Sequence, residues 1–327
     1  MSASIKTPFL AALGLVALIF SVFLFKSPSE NLPIVAIANY GPHASLHETI
    51  AGIKDELANK GLIENQDFRL EIRDANFEHT LIRQMLASLK ATKPAVIIAL
   101  STPVAQAAKS ITTIPLVFSD ITAPVEAGLL NNEYQAKGNM TGASDRQDLV
   151  AFLSFAKKLL PQAKRIGLLY ATTDANDLSL VKMMQNAAKQ FDMEVVLVPV
   201  EHANDVKLRV QAFKNNVDLI YVGVSGPIQP SVPTIASIAA RMNIPVFNAD
   251  SDAVKQHLVL GSFGVSYYQV GINTADIVYD VLQGKPIETI APRFPKLSDH
   301  QGYISKTVAK KLGIAIPATL ENITLVE

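Results

Sequence analysis

Three groups of residues have the types and spacing that catalysis or metal binding requires. Asp250 and Asp252 are two residues apart, so the pair could exchange protons with a substrate. The segment Gly223–Gly226 resembles a nucleophile elbow around its serine but lacks the second glycine of that motif. His43 and His47 have the spacing that places two imidazoles on one helix face, with no glutamate between them. We interpret these groups as a helix cap, a strand-end turn and a solvated helix start, and we expect no catalytic residue and no metal site.

The composition excludes several other classes of function. The 327 residues include no cysteine, which excludes disulfides, thiolate metal sites and cysteine nucleophiles. Lys+Arg and Asp+Glu both total 29, so there is no basic field that would attract nucleic acid. The sequence has neither a glycine-rich phosphate loop ending in Lys-Ser or Lys-Thr nor a Gly-x-Gly-x-x-Gly at a helix start. We therefore expect no cofactor and no nucleic-acid partner.

A further set of polar residues shares one position, directly after predicted strands. Hydroxyls and backbone amides at helix starts favour negative charge, so this set suits a small polar ligand, carboxylates in particular. Each residue alone is equally consistent with a cap or a turn. The set consists of Ser101, Thr102, Ser119, Asp120, Thr122, Tyr170, Thr172, Ser225, Asn248 and Asp250.

The elements that would position these residues follow an alternating pattern. From residue 33 onward, short β-branched runs alternate with longer amphipathic stretches, which is typical of βαβ units around a parallel sheet. The segment Pro33–Ala38 predicts a strand buried on both faces. Two such series, 33–144 and 149–247, predict two α/β lobes. A further strand at Leu258–Ser262 and a helix at Tyr268–Leu282 follow them.

The N-terminal segment is of a different kind. An uncharged apolar run, 9–25, is flanked by Lys6 and Lys26 and is followed by polar sequence. Its length is compatible with a long signal peptide or a short membrane-spanning helix. We expect an anchor to the cytoplasmic membrane, because Val22–Phe25 are bulky where signal peptidase requires small residues. Residues 1–32 are thus assigned as a signal sequence or membrane anchor, and the remainder is expected outside the cytoplasm.

From Pro33 to Ile314 the chain resembles the ABC transporter substrate-binding family that includes the tryptophan- and tyrosine-type binding proteins. The order and spacing of several short motifs carry the resemblance. They are Ser101–Ala108, Ile114–Phe118, Pro124–Leu129, Gly138–Gly142, Ala163–Tyr170, Ile244–Phe247, Gly264–Tyr268 and Lys310–Ile314.

The resemblance implies a type I periplasmic-binding fold. This is an α/β fold in which two Rossmann-like lobes with parallel sheets are joined by a hinge of three chain crossings. The crossings would lie near Ser144–Gln147, Asn248–Ser251 and Gln283–Pro286. The first lobe would then comprise 33–146 plus 251–284, and the second 147–250 plus 285–327.

The resemblance also implies a function. The chain would be the extracytoplasmic solute-binding component of an ABC importer, a monomer that is not an enzyme and that works with permease and ATPase subunits. Its ligand would be an amino acid or a related small carboxylate or aromatic molecule held between the lobes. The ligand-contacting residues would be Asn39, Tyr40, Ser101, Thr102, Ser119, Asp120, Thr122, Tyr170, Thr172, Asn176, Ser225, Asn248 and Asp250.

Two departures from the family pattern concern the ligand's charge. Ala123 stands where the family usually has an aspartate, and Ser225-Gly226 replaces an Asp-Asn pair. A carboxylate is the natural partner of a ligand ammonium group. Asp120 or Asp250 can substitute for the missing acids; otherwise the ligand is neutral or anionic.

Two other functions remain open from the sequence. The same ligand trap, held by one membrane helix, can sense a solute for a partner protein. A periplasmic α/β enzyme is the other alternative, although no nucleophile is paired with a base.

Overall fold

The computed structural model describes residues 32–226, 228–320 and 322–327. They form two α/β lobes, each built around its own sheet.

The first lobe contains a five-stranded parallel sheet in the order β2-β1-β3-β4-β5. Every residue of its inner strand β1 is buried, because helices cover both faces of the sheet. The strands are β1 (Ile34–Asn39), β2 (Arg69–Asp74), β3 (Val96–Leu100), β4 (Leu116–Ser119) and β5 (Met140–Gly142). The helices of this lobe are α1 (Ala44–Asn59), α2 (His79–Ala91) and α3 (Thr102–Ala108).

The second lobe contains a seven-stranded mixed sheet in the order β12-β11-β10-β9-β8-β6-β7. Its one antiparallel pair joins β10 and β11. The strands are β6 (Arg165–Ala171), β7 (Glu194–Val200), β8 (Leu219–Val222), β9 (Val246–Asn248), β10 (Gly261–Val265), β11 (His300–Ser305) and β12 (Ile323–Val326). The helices are α4 (Leu149–Leu159), α5 (Ala175–Lys189), α6 (Val206–Arg209), α7 (Val232–Arg241) and α8 (Asp252–Lys255), with α10 (Lys306–Leu312) near the end.

Helix α9 (Tyr267–Leu282) returns to the first lobe and packs against α1. The two helices approach backbone to backbone at a pair of glycines. A methyl group on Gly52 would overlap the Tyr268 carbonyl oxygen, and one on Gly271 would overlap the Thr49 carbonyl oxygen. Only glycine allows this close approach.

The second crossing differs from the position expected at Asn248–Ser251. Strand β10 pairs with β9 in parallel and with β11 antiparallel, so residues 251–265 belong to the second lobe. The chain crosses between Val265 and Tyr267 instead. The strand itself begins at Gly261, three residues after the predicted start at Leu258. Hydrophobic patterning predicts that a strand exists but not which sheet accepts it.

The third crossing also lies later than Gln283–Pro286. Ile287 and Ile290 are buried in the core of the first lobe. The Arg293 N–H then donates to the carbonyl of Gly142 (2.9 Å), the last residue of β5. The chain enters the second sheet only at His300, so residues 285–292 remain with the first lobe.

The apolar run 9–25 lies outside the described residues. Within the described part of the chain, no helix combines the length and apolar character needed to cross a membrane.

Candidate functional site

A cleft lies between the two lobes, at the carboxyl ends of their parallel strands, where open α/β sheets bind ligands. Its empty space, including the solvent at its open side, is about 530 Å³. Its lining residues are Tyr40, His43, Ser45, Leu46, Phe77, Ser101, Thr102, Pro103, Asp120, Asp174, Asn176, Val224, Ser225, Gly226, Gln229 and Tyr267.

Aromatic side chains form part of the first-lobe wall. Tyr40 directly follows β1, and its ring meets Phe77 edge to face, with centroids 5.4 Å apart. Phe77 has a positive φ of 61°, a conformation that costs a bulky residue of order 1–3 kcal/mol. The strain places the ring against Tyr40. Burial, Asp174 and Glu78 together raise the pKa of Tyr40 to about 12, so its hydroxyl is neutral.

The turn after β3 brings Ser101 and Thr102 into the same wall. Ser101 also has a positive φ of 77°, and its N–H donates to the Ser119 carbonyl (3.1 Å). Its side chain does not cap α3, which begins at Thr102. The Ser101 hydroxyl is therefore not used by the helix start that it precedes.

Asp120 supplies a buried carboxyl group from the turn after β4. Its Oδ1 accepts a hydrogen bond from Thr49 Oγ1 (2.9 Å). Its Oδ2 has no partner among the described residues. Burial, reinforced by the nearby Asp145, raises the pKa of Asp120 well above its ordinary value. A ligand group that donates to Asp120 would satisfy a polar atom that is otherwise unpaired.

Internal hydrogen bonds hold the second-lobe wall. Asp174 caps α5 by accepting from the Asn176 N–H (2.9 Å), and the Asn176 amide donates to the Val224 carbonyl. Ser225 Oγ donates to Asp177 Oδ2 (2.7 Å). Gln229 Nε2 donates to the Gly223 carbonyl at 2.8 Å. These bonds fix the wall before any ligand is present.

The two walls touch each other at the edges of the cleft. Ser45 Oγ in α1 donates to Asp250 Oδ2 beyond β9. A methyl group on Gly226 would lie 3.2 Å from the Tyr40 ring, so the second lobe packs close to this aromatic side chain. This is the arrangement of a closed cleft.

The charges that line the cleft are of one sign. Asp120 and Asp174 are its acidic residues, and no lysine or arginine is among the lining residues of the described chain. Burial lowers the pKa of His43, which favours its neutral form. Burial raises the pKa of both carboxyl groups, and a positively charged ligand group beside them would lower it again, so the cleft favours a ligand that carries positive charge.

Six of the predicted contact residues do line this cleft. They are Tyr40, Ser101, Thr102, Asp120, Asn176 and Ser225.

The other seven predicted residues do not line it, because neighbours take up their side chains or the fold directs them elsewhere. Among the first-lobe residues, the Asn39 amide donates to Asp74 Oδ1 (2.5 Å) and to the Gly41 carbonyl. Ser119 bonds to Thr274 in α9 at 2.8 Å, and Thr122 donates to Asp145 at 2.8 Å.

The second-lobe residues of this group also lie away from the cleft, either because they are hydrogen-bonded to neighbours or because of their place in the sheet. Asn248 pairs with Gln229, whose Nε2 donates to Asn248 Oδ1 at 2.8 Å. Asp250 accepts from Ser45 and faces a neighbouring cavity. Tyr170 lies opposite Pro199 in the sheet, and Thr172 is exposed beyond its end.

Sequence reasoning missed several lining residues, notably Phe77, Asp174, Gln229 and Tyr267. Asp174 had a detectable signal, since an aspartate before an amphipathic stretch is a typical helix cap. Phe77 and Tyr267 had none, because they reach the cleft from a loop and from the returning helix α9.

Comparisons with known proteins identify the family to which this fold belongs. The model of a family described as ABC transporter substrate binding protein matches residues 34–324. A tyrosine-binding protein of Clostridioides difficile (strain R20291) is 27% identical over 266 residues, covering 81% of this chain and 77% of that protein.

Two solved structures align with 91% of this chain and over the full length of their own chains. A conserved domain protein from Vibrio cholerae superposes with a TM-score of 0.86 at 29% identity. The ABC domain from Streptococcus pneumonia in complex with L-Trp gives 0.85 at 24% identity, which establishes the fold alone.

These matches confirm the family resemblance and the two-lobe periplasmic-binding fold predicted from the sequence. They also assign the chain to solute-binding proteins, which function outside the cytoplasm, and not to the α/β enzymes.

Proposed function

This chain belongs to the ABC transporter substrate-binding protein family, and we propose that it is the binding component of an importer for an amino acid with an aromatic or large apolar side chain. The observation that carries the proposal is the cleft itself. Its charged groups, Asp120 and Asp174, are acidic, and they lie beside the aromatic rings of Tyr40 and Phe77.

Each part of such a ligand has a complementary group in the cleft. The ammonium group would donate to Asp120 Oδ2, the unpaired carboxylate oxygen. The carboxylate would accept from the hydroxyls of Ser101 and Thr102 and from the Thr102 N–H at the start of α3. The side chain would lie against Tyr40 and Phe77. The tyrosine-binding relative supports this class of ligand.

The proposal also accounts for the two acids that the family pattern has and this chain lacks. Asp120 takes over the role of ammonium partner, since it lines the cleft and keeps one oxygen free. Asp250 does not, because Ser45 and the Asp252 N–H occupy its two oxygens.

The test is calorimetry on the full chain in mild detergent, with native mass spectrometry to detect a retained ligand. We expect L-tyrosine or L-tryptophan to bind at least tenfold more tightly than its deaminated analogue, since a hydrogen bond to a charged group is worth about 1.5–3 kcal/mol. Equal or tighter binding of the deaminated acids would contradict the proposal.

Transport is the second part of the proposal. The partners would be a permease and an ATPase, with residues 9–25 anchoring a monomeric binding protein to the cytoplasmic membrane. Reconstituted permease and ATPase should hydrolyse ATP faster when the ligand-loaded chain is added. Intact-mass analysis of membrane and periplasmic fractions tests the anchor, and a soluble form beginning near Glu30 would contradict it.

A further inference from the structure

An acidic contact joins the two lobes behind the ligand cleft. Ser45 in α1 donates to Asp250 Oδ2, and Asp250 Oδ1 accepts from the Asp252 N–H (2.9 Å) at the start of α8. Glu48 lies three residues after Ser45, on the same face of α1, and this face is directed toward the second lobe. Carboxyl groups from both lobes therefore meet at this point.

Glu48 and Asp250 line a second cavity, distinct from the ligand cleft, and Asp299 lies in the same wall. Among the described residues, no cluster here or elsewhere offers the three ligands of a metal site. Lys255 is the neighbouring cation, and it is already paired with Asp252 at 2.7 Å. The charged or titratable groups around Glu48 are Asp250, Asp252, Lys255, Tyr267, Asp299 and Tyr303. His43, at the start of α1, is close to Asp250 and Asp252.

Acids thus outnumber the cation where the lobes meet, and closing the cleft brings their like charges together. We propose that a proton held by Glu48, which lines this cavity together with the second-lobe Asp250, acts as a latch between the lobes, so that the ligand-free cleft closes more readily in mildly acidic than in alkaline solution.

The environment of Glu48 supports the latch. Burial, the charges of Asp252 and Asp250, and a hydrogen bond to Asp252 raise its pKa from 4.5 to about 7, while Lys255 acts in the opposite direction. Opening the lobes removes these neighbours, so the pKa returns toward 4.5. The closed form then binds a proton that the open form releases, and its advantage is full below about pH 4.5 and lost as the pH rises through 7.

The lobe distance can be measured without knowing the ligand. The chain has no cysteine, so single cysteines placed at the exposed Tyr134 and Leu208, one on each lobe, accept a fluorophore pair cleanly. Energy transfer in the ligand-free full chain, in mild detergent, then reports the ratio of closed to open molecules. The variants are Glu48→Gln, which keeps the shape but cannot titrate, and the control Glu56→Gln, two turns along α1.

We expect the closed-to-open ratio to fall by about tenfold from pH 5.5 to pH 8.5 in the wild type and in Glu56→Gln. Glu48→Gln should stay as closed at pH 8.5 as the wild type is at pH 5.5. A wild-type closed-to-open ratio that does not change with pH would overturn the latch. A pH dependence that Glu48→Gln leaves unchanged would also overturn it and would point to His43 as the titrating group. A ratio that responds to added sodium or ammonium chloride at fixed pH and ionic strength would replace the proton by a bound cation and also overturns it.

Discussion

The two walls of the cleft differ in how they use their polar groups. On the first lobe, Asp120 keeps an unpaired oxygen and Ser101 leaves the start of α3 uncapped. On the second lobe, Ser225 and Gln229 are engaged within their own lobe, with Asp177 and Asn248. Asn176 of the second lobe also keeps an unpaired oxygen, Oδ1, in the cleft wall. The difference indicates that the first lobe supplies the partner of the ligand's ammonium group, whereas Ser225 and Gln229 belong to a prearranged cover.

The largest expected effect is a loss of stability when a glycine at a close backbone contact in the first lobe is replaced, compared with a glycine in the second lobe. We predict that Gly52→Ala lowers the free energy of unfolding by about 3 kcal/mol or more, because its methyl group meets the Tyr268 backbone. The matched control Gly223→Ala in the second lobe meets only the tip of the Leu180 side chain and should cost about 1 kcal/mol. Denaturant unfolding of both variants measures the difference, and equal losses would show that the α1–α9 contact is not a special constraint.

The next prediction compares the two walls directly. Tyr40→Ala should weaken binding of L-tyrosine or L-tryptophan by about tenfold or more, since it removes a buried aromatic surface. Ser225→Ala should weaken it less than threefold, because that hydroxyl is bonded to Asp177. Calorimetry on both variants, with Tyr40→Phe as the control for the ring alone, measures the ranking. The reverse ranking would make the second lobe the binding wall.

The smallest expected effect is on the pH dependence of stability and concerns Asp177, which accepts a hydrogen bond from Ser225 in the second-lobe wall. Burial and Asp174 raise the pKa of Asp177 to about 7. The folded protein thus keeps a proton that the unfolded chain gives up, and stability falls as the pH rises from about 4 through 7. Asp177→Asn should remove this loss and raise the unfolding free energy at pH 8, relative to the wild type, by roughly 1–2 kcal/mol.

Thermal and denaturant unfolding at pH 5.5 and pH 8 measure this effect. Asp177→Asn should narrow the difference between the two pH values, because its amide oxygen can still accept from Ser225. If the unfolding free energy of Asp177→Asn depended on pH as it does in the wild type, another group would be responsible for that dependence.

The sequence predicted the fold well because strands such as β1 are apolar up to their last residue and are separated by amphipathic helices. It predicted Asp120 and Ser101 because both directly follow strands. It could not predict which way the side chains of Asn39 and Asp250 point, since their hydrogen-bond partners Asp74 and Ser45 lie 35 and 205 residues away in the chain. The sheet that accepts β10 was also undetermined, because the same pattern fits either lobe.

The most direct test of the central claim, that Asp120 on the first lobe receives the ligand's ammonium group, is a thermodynamic cycle. The dissociation constants of L-tyrosine and of 3-(4-hydroxyphenyl)propionate, its deaminated analogue, are measured for the wild type and for Asp120→Asn. We predict that loss of the ammonium group weakens wild-type binding by tenfold or more, and binding to Asp120→Asn by less than threefold. The same loss in both proteins would show that Asp120 does not contact the ammonium group.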